Sequence, residues 1–303
     1  MSRYALTPAL RDWQARGEMV RYGGHEVFLR RGRNTGPALM LIHGYPTGSY
    51  DWHRLWPELE TQHHLIALDM LGLGLSSKPA GHCYSLAGHA DLHEEVLQRL
   101  GVERVHLLVH DLGVSVAQEM MAMRLVDESL PEIASVTLLN GGVFPEAYRP
   151  RPIQRVLASP LGGWLGPLVS RAAFERSIRP LFSPHHAPAP GLIDDFWSLV
   201  VQGQGLRVAH QVGRFWKDRM ATRDRLVEPV IERLWPMQMI NGLSDPNSGA
   251  HMAERYRALV PGARIVGLEG VGHWPQLDVP CKVARLVRGF VQEHALLPDG
   301  VCC

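Results

Sequence analysis

The order of apolar runs along the chain predicts an α/β fold: a mostly parallel eight-stranded sheet with helices on both faces and one inserted segment. Three observations carry this expectation. Short apolar runs alternate with helix-like segments, the pattern of parallel strands covered on both faces. At 303 residues with 46% hydrophobic content, the chain can bury one large core rather than several independent ones. The alternation fails over one long stretch, Pro145 to Trp235, which is rich in Pro, Trp and Arg and reads as an insertion between core segments 1–144 and 236–303.

Glu18 to Tyr22 and Glu26 to Arg31 are expected as a hairpin around Gly23-Gly24. The apolar run Ala38 to Ile42 is the next strand, followed by a loop through His43-Gly44. Leu65 to Leu71 is another strand, and Ser85 to Leu100 an amphipathic helix that Gly101 ends. Val105 to Val109 is a buried strand, with a helix from Val114 to Leu125 close behind it, and Ser135 to Leu139 is the last strand before the insertion. Alternation returns with a strand at Met237 to Ile240, a helix near Ser248 to Leu259, a strand at Arg264 to Leu268 and a final helix from Pro280 to His294.

Composition removes several classes of function. Lys plus Arg number 31 against 30 Asp plus Glu, with no basic run interleaved with aromatics, so nucleic acid is not an expected partner. A small, mainly apolar organic molecule is. Met1 to Val20 is broken by Arg3, Arg11, Asp12, Arg16 and Glu18 and has no signal-peptide core; with no membrane span elsewhere, the expected location is cytoplasmic. Cys83, Cys281, Cys302 and Cys303 show no metal-ligand spacing and read as reduced thiols. The 16 histidines are scattered, and His63-His64 and His185-His186 lack partners at zinc spacing, so neither metal nor cofactor is expected.

The chemistry concentrates at Val109-His110-Asp111-Leu112-Gly113, between a strand and a helix. This has the form of a nucleophile elbow, a sharp strand-to-helix turn that thrusts its central side chain outward at a helix N-terminus. Here that side chain is a carboxylate. A carboxylate is weakly basic and suits displacement at a saturated carbon, which leaves an alkyl ester on the enzyme. Water must then cleave the ester, which requires a base and an acid to orient it. His273 in Gly270-Val271-Gly272-His273-Trp274-Pro275 follows the last strand, and Asp245 in Gly242-Leu243-Ser244-Asp245-Pro246 follows the preceding one, so both reach the carboxyl edge of the sheet. Gly44 lets the loop His43-Gly44-Tyr45-Pro46 pack close to the elbow, where the N–H groups of Tyr45 and Leu112 can form an oxyanion hole. The Gly-x-Gly of Asp69 to Ser76 lacks the third glycine of a phosphate-binding loop and reads as packing.

Together these motifs resemble the α/β-hydrolase superfamily from about Val20 to Val291, in the aspartate-nucleophile branch that holds epoxide hydrolases and haloalkane dehalogenases. His43 to Trp52, the elbow, and Leu139 to Glu146 look most like the mesoderm-specific transcript protein family. The resemblance implies Asp111 as nucleophile, His273 as base, Asp245 as its acid, and residues 145–235 as a helical cap. Two departures shape the substrate. Dehalogenases of this branch place a halide-binding tryptophan, or for fluoroacetate an arginine, directly after the nucleophile, and here that residue is Leu112. Epoxide hydrolases use two cap tyrosines, and here the insertion holds only Tyr148, so His185, His186, His210 or the indole of Trp216 are the other candidate leaving-group donors. Trp164, Trp197 and Trp216 otherwise pack cap helices. Arg149, Arg151 and Arg155 form a basic cluster that reads as solvated surface, with an anionic substrate as its alternative. The expected activity is epoxide hydrolysis to a diol. Carbon–halogen hydrolysis and a low-turnover binding protein are the alternatives.

Overall fold

The computed structural model describes residues 5–157, 159, 162–183 and 185–295, so Cys302 and Cys303 lie outside the described residues. Helix α1, Pro8–Ala15, opens the chain, with proline at its first position and the Thr7 hydroxyl accepting from the Leu10 N–H. Its charged residues Arg11 and Asp12 face outward while Leu10 and Trp13 are buried. Strands β1 (Glu18–Tyr22), β2 (His25–Arg31) and β3 (Ala38–Ile42) follow, then the short α2 (Trp56–Leu59) and β4 (His64–Leu68). Helix α3 (Leu86–Arg99) is capped by the Ser85 hydroxyl, and β5 (Arg104–Asp111) runs without a loop into α4 (Leu112–Arg124). β6 spans Glu132–Gly141.

The sheet order is β1-β2-β4-β3-β5-β6, continued by β7 (Met237–Gly242) and β8 (Arg264–Leu268). β2 is antiparallel to both neighbours, and every other pairing is parallel. This is the mostly parallel eight-stranded sheet that the sequence predicts. Side-chain alternation builds a core on each face. Met40, Ile42, Leu107, Val109, Val136 and Leu138 pack with α3, α4 and α12 (Ala250–Leu259), which follows the insertion. Leu39, Leu41, Leu108, Leu139 and Ile240 point the other way, onto α1 and the last helix, Pro280–Glu293. Each such fully buried aliphatic side chain contributes about 1.5–3 kcal/mol, so continuous apolar strands are stable only because both faces are covered.

Several boundaries differ from the sequence expectation for identifiable reasons. The strand expected to reach Leu71 ends at Leu68, because Asp69 turns the chain by accepting the N–H groups of Ser49 and Leu75. The elbow helix begins at Leu112 rather than Val114, since the turn is made within Asp111 itself. β6 extends beyond Ser135–Leu139 at both ends by pairing with β5 from Glu132 to Gly141.

Between β6 and β7 the chain forms α5 (Pro152–Leu157), α6 (Gly162–Leu165), α7 (Arg171–Ile178), α8 (Leu192–Val201), α9 (Gly205–Val212), α10 (Phe215–Ala221) and α11 (Arg223–Ile231). On α8, Leu192, Ile193, Phe196 and Leu199 are buried against the second core, and Asp195 accepts from the Tyr50 hydroxyl at 3.1 Å. No helix of the described residues is long and apolar enough to cross a membrane.

The first turn of α4 lies directly on β3. A Cβ on Gly113 would stand 2.3 Å from the Ile42 carbonyl oxygen, a backbone atom that cannot swing aside. Gly113→Ala is therefore expected to lose about 1–3 kcal/mol of stability despite alanine's higher helix propensity, read as a lower urea midpoint at unchanged slope.

Candidate active site

Asp111 is the last residue of β5 and the cap of α4, at φ 50° and ψ −109°. A non-glycine residue with positive φ outside the left-handed helical well is strained, and the surrounding contacts must hold it there. They are close. A Cβ on Gly44 would stand 2.6 Å from the Cβ of Asp111, so only glycine allows the His-Gly loop to reach the elbow. His43 fixes that loop from within the core: its Nδ1–H donates to the Gly44 carbonyl at 2.8 Å, and its Nε2 accepts the Met70 N–H at 3.0 Å. Burial pushes its pKa down, consistent with this neutral tautomer.

The structure brings the three expected residues from separate parts of the sequence to one point. His273 Nδ1–H donates to Asp245 Oδ2 at 2.8 Å, and His273 Nε2 stands 3.6 Å from Asp111 Oδ2. Asp245 is fixed on both oxygens. Oδ2 also accepts from Asn140 and Ser248, and Oδ1 from the Asn247 N–H. Burial alone would raise the Asp245 pKa, but the His273 charge and these hydrogen bonds hold it well below the usual carboxylate range. Burial also works against protonated His273. It is outweighed by the charge and hydrogen bond of Asp245, with Asp111 and Asp51 adding, so the imidazole is pushed up to about 9.

Of the two expected oxyanion-hole donors, Tyr45 N–H lies 3.0 Å from Asp111 Oδ1. Leu112 N–H makes no bond to that carboxylate among the described residues; it is the first amide of α4, which has no partner within the helix. The loop between Tyr45 and Pro46 carries a cis peptide bond.

A cavity of about 90 Å³ opens on Asp111 and His273. Its walls are Tyr45 and Pro46 from the His-Gly loop and mostly apolar residues of the insertion, among them Val169, Phe174, Ile178 and Leu206. The expected leaving-group donors divide. Tyr148 and Trp216 line a small adjoining cavity that shares Tyr45 and Gln154 with the first. The Tyr148 oxygen accepts from Gln154 Nε2 at 2.9 Å and Asn247 Nδ2 at 3.1 Å, which leaves its own proton to donate. Burial and the Asp111 charge raise its pKa, partly offset by Arg219. The Trp216 indole N–H is buried with no acceptor among the described residues. The three histidines stand elsewhere. His185 is exposed against Gly270, His186 lines a separate cavity with Arg54 and Asp278, and His210 Nδ1 pairs with the Arg207 carbonyl. Trp164 is 83% exposed, and Trp197 packs on Phe174.

Sequence reasoning assigned no role to three residues near the site. Arg219 on α10 is fully buried, lies over the rings of Tyr148 and Phe215, and meets the charge of Asp111. Its register on a short helix gives no sequence signal. His110 Nε2–H donates to the His273 carbonyl at 2.8 Å, and Asp51 Oδ2 lies 4.0 Å from His110 Nδ1. A charged residue inside the apolar Tyr50-Asp51-Trp52 is the signal that marked Asp51.

The α/β hydrolase fold family matches residues 37–280, and the chain belongs to it. It is thus a hydrolase of α/β fold. Over 275 residues it is 36% identical to LipZ of Mycobacterium tuberculosis, covering 90% of this chain and 95% of the relative. It is 34% identical over 299 residues to the mesoderm-specific transcript protein of Mus musculus, covering 94% and 89%. Two solved structures share the fold at 18% identity: the epoxide hydrolase CorEH, with TM-score 0.74 over 91% of this chain and 98% of that one, and the haloalkane dehalogenase DbeA of Bradyrhizobium elkani, with TM-score 0.75 over 91% and 99%. The fold is shared equally with both structures.

The His273 titration follows from this geometry. Its pKa rises from 6.5 to about 9 on folding, so its stabilisation is complete below pH 6.5 and is lost as pH rises through 9. Asp245→Asn removes the largest upward contributions and lets burial dominate. An NMR titration of that variant is expected to place His273 below 6.5, against about 9 in the parent.

Proposed function

We propose that the protein is a cofactor-independent epoxide hydrolase in which Asp111 is the nucleophile, His273 the base and Asp245 its acid, with residues 145–235 as the cap over the pocket. The observation that carries this reading is His273 held between two carboxylates, hydrogen-bonded to Asp245 at 2.8 Å and 3.6 Å from Asp111. In the first step an Asp111 oxygen attacks an epoxide carbon. The ring C–O bond breaks, and the alkoxide receives the Tyr148 proton, leaving a hydroxyalkyl ester. In the second step His273 takes a proton from water, and the hydroxide adds to the ester carbonyl. The resulting oxyanion is held by the N–H groups of Tyr45 and Leu112; its collapse breaks the ester C–O bond, the departing alkoxide takes the proton from His273 to give the diol, and the Asp111 carboxylic proton passes to the Tyr148 phenolate, restoring Asp111, His273 and Tyr148.

Electrostatics supports this order. With Asp111 ionised, His273 is protonated at neutral pH and is no base. Alkylation makes Asp111 a neutral ester and removes one of the charges that hold the proton on His273. The base therefore appears when the ester that needs it has formed. Ester breakdown is expected to speed up with rising pH, with a midpoint below the value of the free enzyme.

One observation favours carbon–halogen hydrolysis as a second reading. The buried Trp216 N–H, without an acceptor, can hold a departing halide in place of the tryptophan that Leu112 does not supply.

His273→Gln is expected to trap the ester, because the first step survives and the second does not. Mass spectrometry of the Asp111 peptide after incubation with epoxides and haloalkanes reads the chemistry. Addition of the whole epoxide supports ring opening, and addition of an alkyl group with loss of hydrogen halide overturns it in favour of the second reading. Asp111→Asn is expected to fold and to lose turnover by about 10⁴-fold or more. Undiminished turnover in that variant would remove Asp111 as nucleophile, and absence of both turnover and adduct would favour a binding role.

A further inference from the structure

The charges around the pocket balance except at one residue. Among the described residues three charged side chains line the cavity: Asp111, His273 and Arg151. His273 is paired with Asp245 and faces Asp111. Asp111 also meets the positive charge of the buried Arg219. Arg151 has no such arrangement. Its guanidinium pairs with no acceptor among the described residues, and only Tyr148 and Asp245 act on it through space. Asp245 already accepts four hydrogen bonds from other groups.

Arg151 is also unlike the other two arginines of its cluster. Arg149 and Arg155 are exposed, as a solvated surface requires, whereas Arg151 is half-buried and turned to the cavity wall. Its backbone N–H donates to Gln154 Oε1 at 2.8 Å, and the same Gln154 side chain donates to Tyr148. The cation is thus mounted on the group that also holds the Tyr148 hydroxyl. A guanidinium stripped of part of its water and given no partner carries a standing desolvation penalty, which an anion brought by a ligand removes. The remaining wall is dominated by aliphatic and aromatic side chains, which fit a chain of methylene groups and, among the described residues, offer no second free cation for a dianion.

We infer that the pocket takes a singly charged amphiphile: an apolar chain whose carboxylate is held by Arg151 while its reacting carbon meets Asp111. The placement of the reacting carbon rests on the proposed role of Asp111, whereas the anion site does not. In this inference Arg151 is a binding and specificity residue that holds the carboxylate and takes no part in the bonds that change.

Octanoate and octanol test the site without any reaction. Calorimetric titration of the full chain is expected to show octanoate binding about tenfold or more tighter than octanol, the worth of a charge-assisted hydrogen bond. Arg151→Gln is expected to abolish the preference, and Arg151→Lys to keep part of it. Equal binding of the two probes by the parent, or an unchanged preference in Arg151→Gln, overturns the inference. The reacting arm uses His273→Gln with 7,8-epoxyoctanoate and its methyl ester, where the acid is expected to load Asp111 faster. In the active enzyme, Arg151→Gln is expected to raise KM for the acid with little change in kcat. If octanoate binds through Arg151 and neither epoxide forms an adduct, the ring-opening reading fails and the anion site stands. If octanoate binds no tighter than octanol and both epoxides load at equal rates at subsaturating concentration, the anion site fails and the ring-opening reading stands.

Discussion

The site depends on one backbone constraint, the turn made within a single residue at the end of β5. Asp111 at φ 50° stops the strand and starts the helix without an intervening loop. Such a conformation costs of the order of 1–3 kcal/mol and persists only where its surroundings leave no alternative. Here they are the parallel ladder on both sides of β5, the bare faces of Gly44 and Gly113, and the apolar underside of α4. The return is a carboxylate aimed outward beside a helix amide with no partner within the helix and within reach of Tyr45 N–H. The same edge receives the loops after β7 and β8, because those strands are parallel to β5 and end on its side of the sheet.

The buried groups behind His273 extend that logic from geometry to charge. Asp51 is fully buried, and burial raises it to about 8 against the opposing hydrogen bond from Thr47. Its neighbour His110 is kept neutral by burial and by the positive charge of His273, yet it donates to the His273 carbonyl. The His110 N–H braces the His273 backbone from behind, and burial opposes the charge of Asp51, the third carboxylate that favours protonated His273. Burial of Asp51 thus weakens one of the charges that hold the proton on His273, the direction that the proposed base role requires.

Much of this was legible in the sequence, and what was not has a physical pattern. The strands announced themselves as continuous apolar runs because both of their faces are buried, and Asp111, Asp245 and His273 stand where parallel strands end. Boundaries were less visible. Whether a strand stops at Leu68 or Leu71 depends on Asp69 accepting backbone amides from Ser49 and Leu75, a contact between loops that no local pattern encodes. The insertion was least legible of all. Its short helices share no period with the sheet, so nothing in the sequence distinguished Arg151 at the cavity wall from Arg155 at the surface, or the pocket-side Trp216 from the exposed Trp164.

That uneven legibility follows from a division of labour within the chain. In the proposed mechanism the core supplies a nucleophile and a base whose relation is set by the sheet, and those parts suit any substrate with an electrophilic carbon. Selection must come from residues that the sheet does not place. Leu112, directly after the nucleophile, is buried and apolar, so it offers the departing group neither a proton nor a charge. Tyr148 with its two supporting amides, and Trp216 and Arg151, whose N–H and cation have no partner among the described residues, all lie on the segment between β6 and β7. Substitution there can redirect the protein from one leaving group to another while the elbow and the Asp245–His273 pair stay as they are.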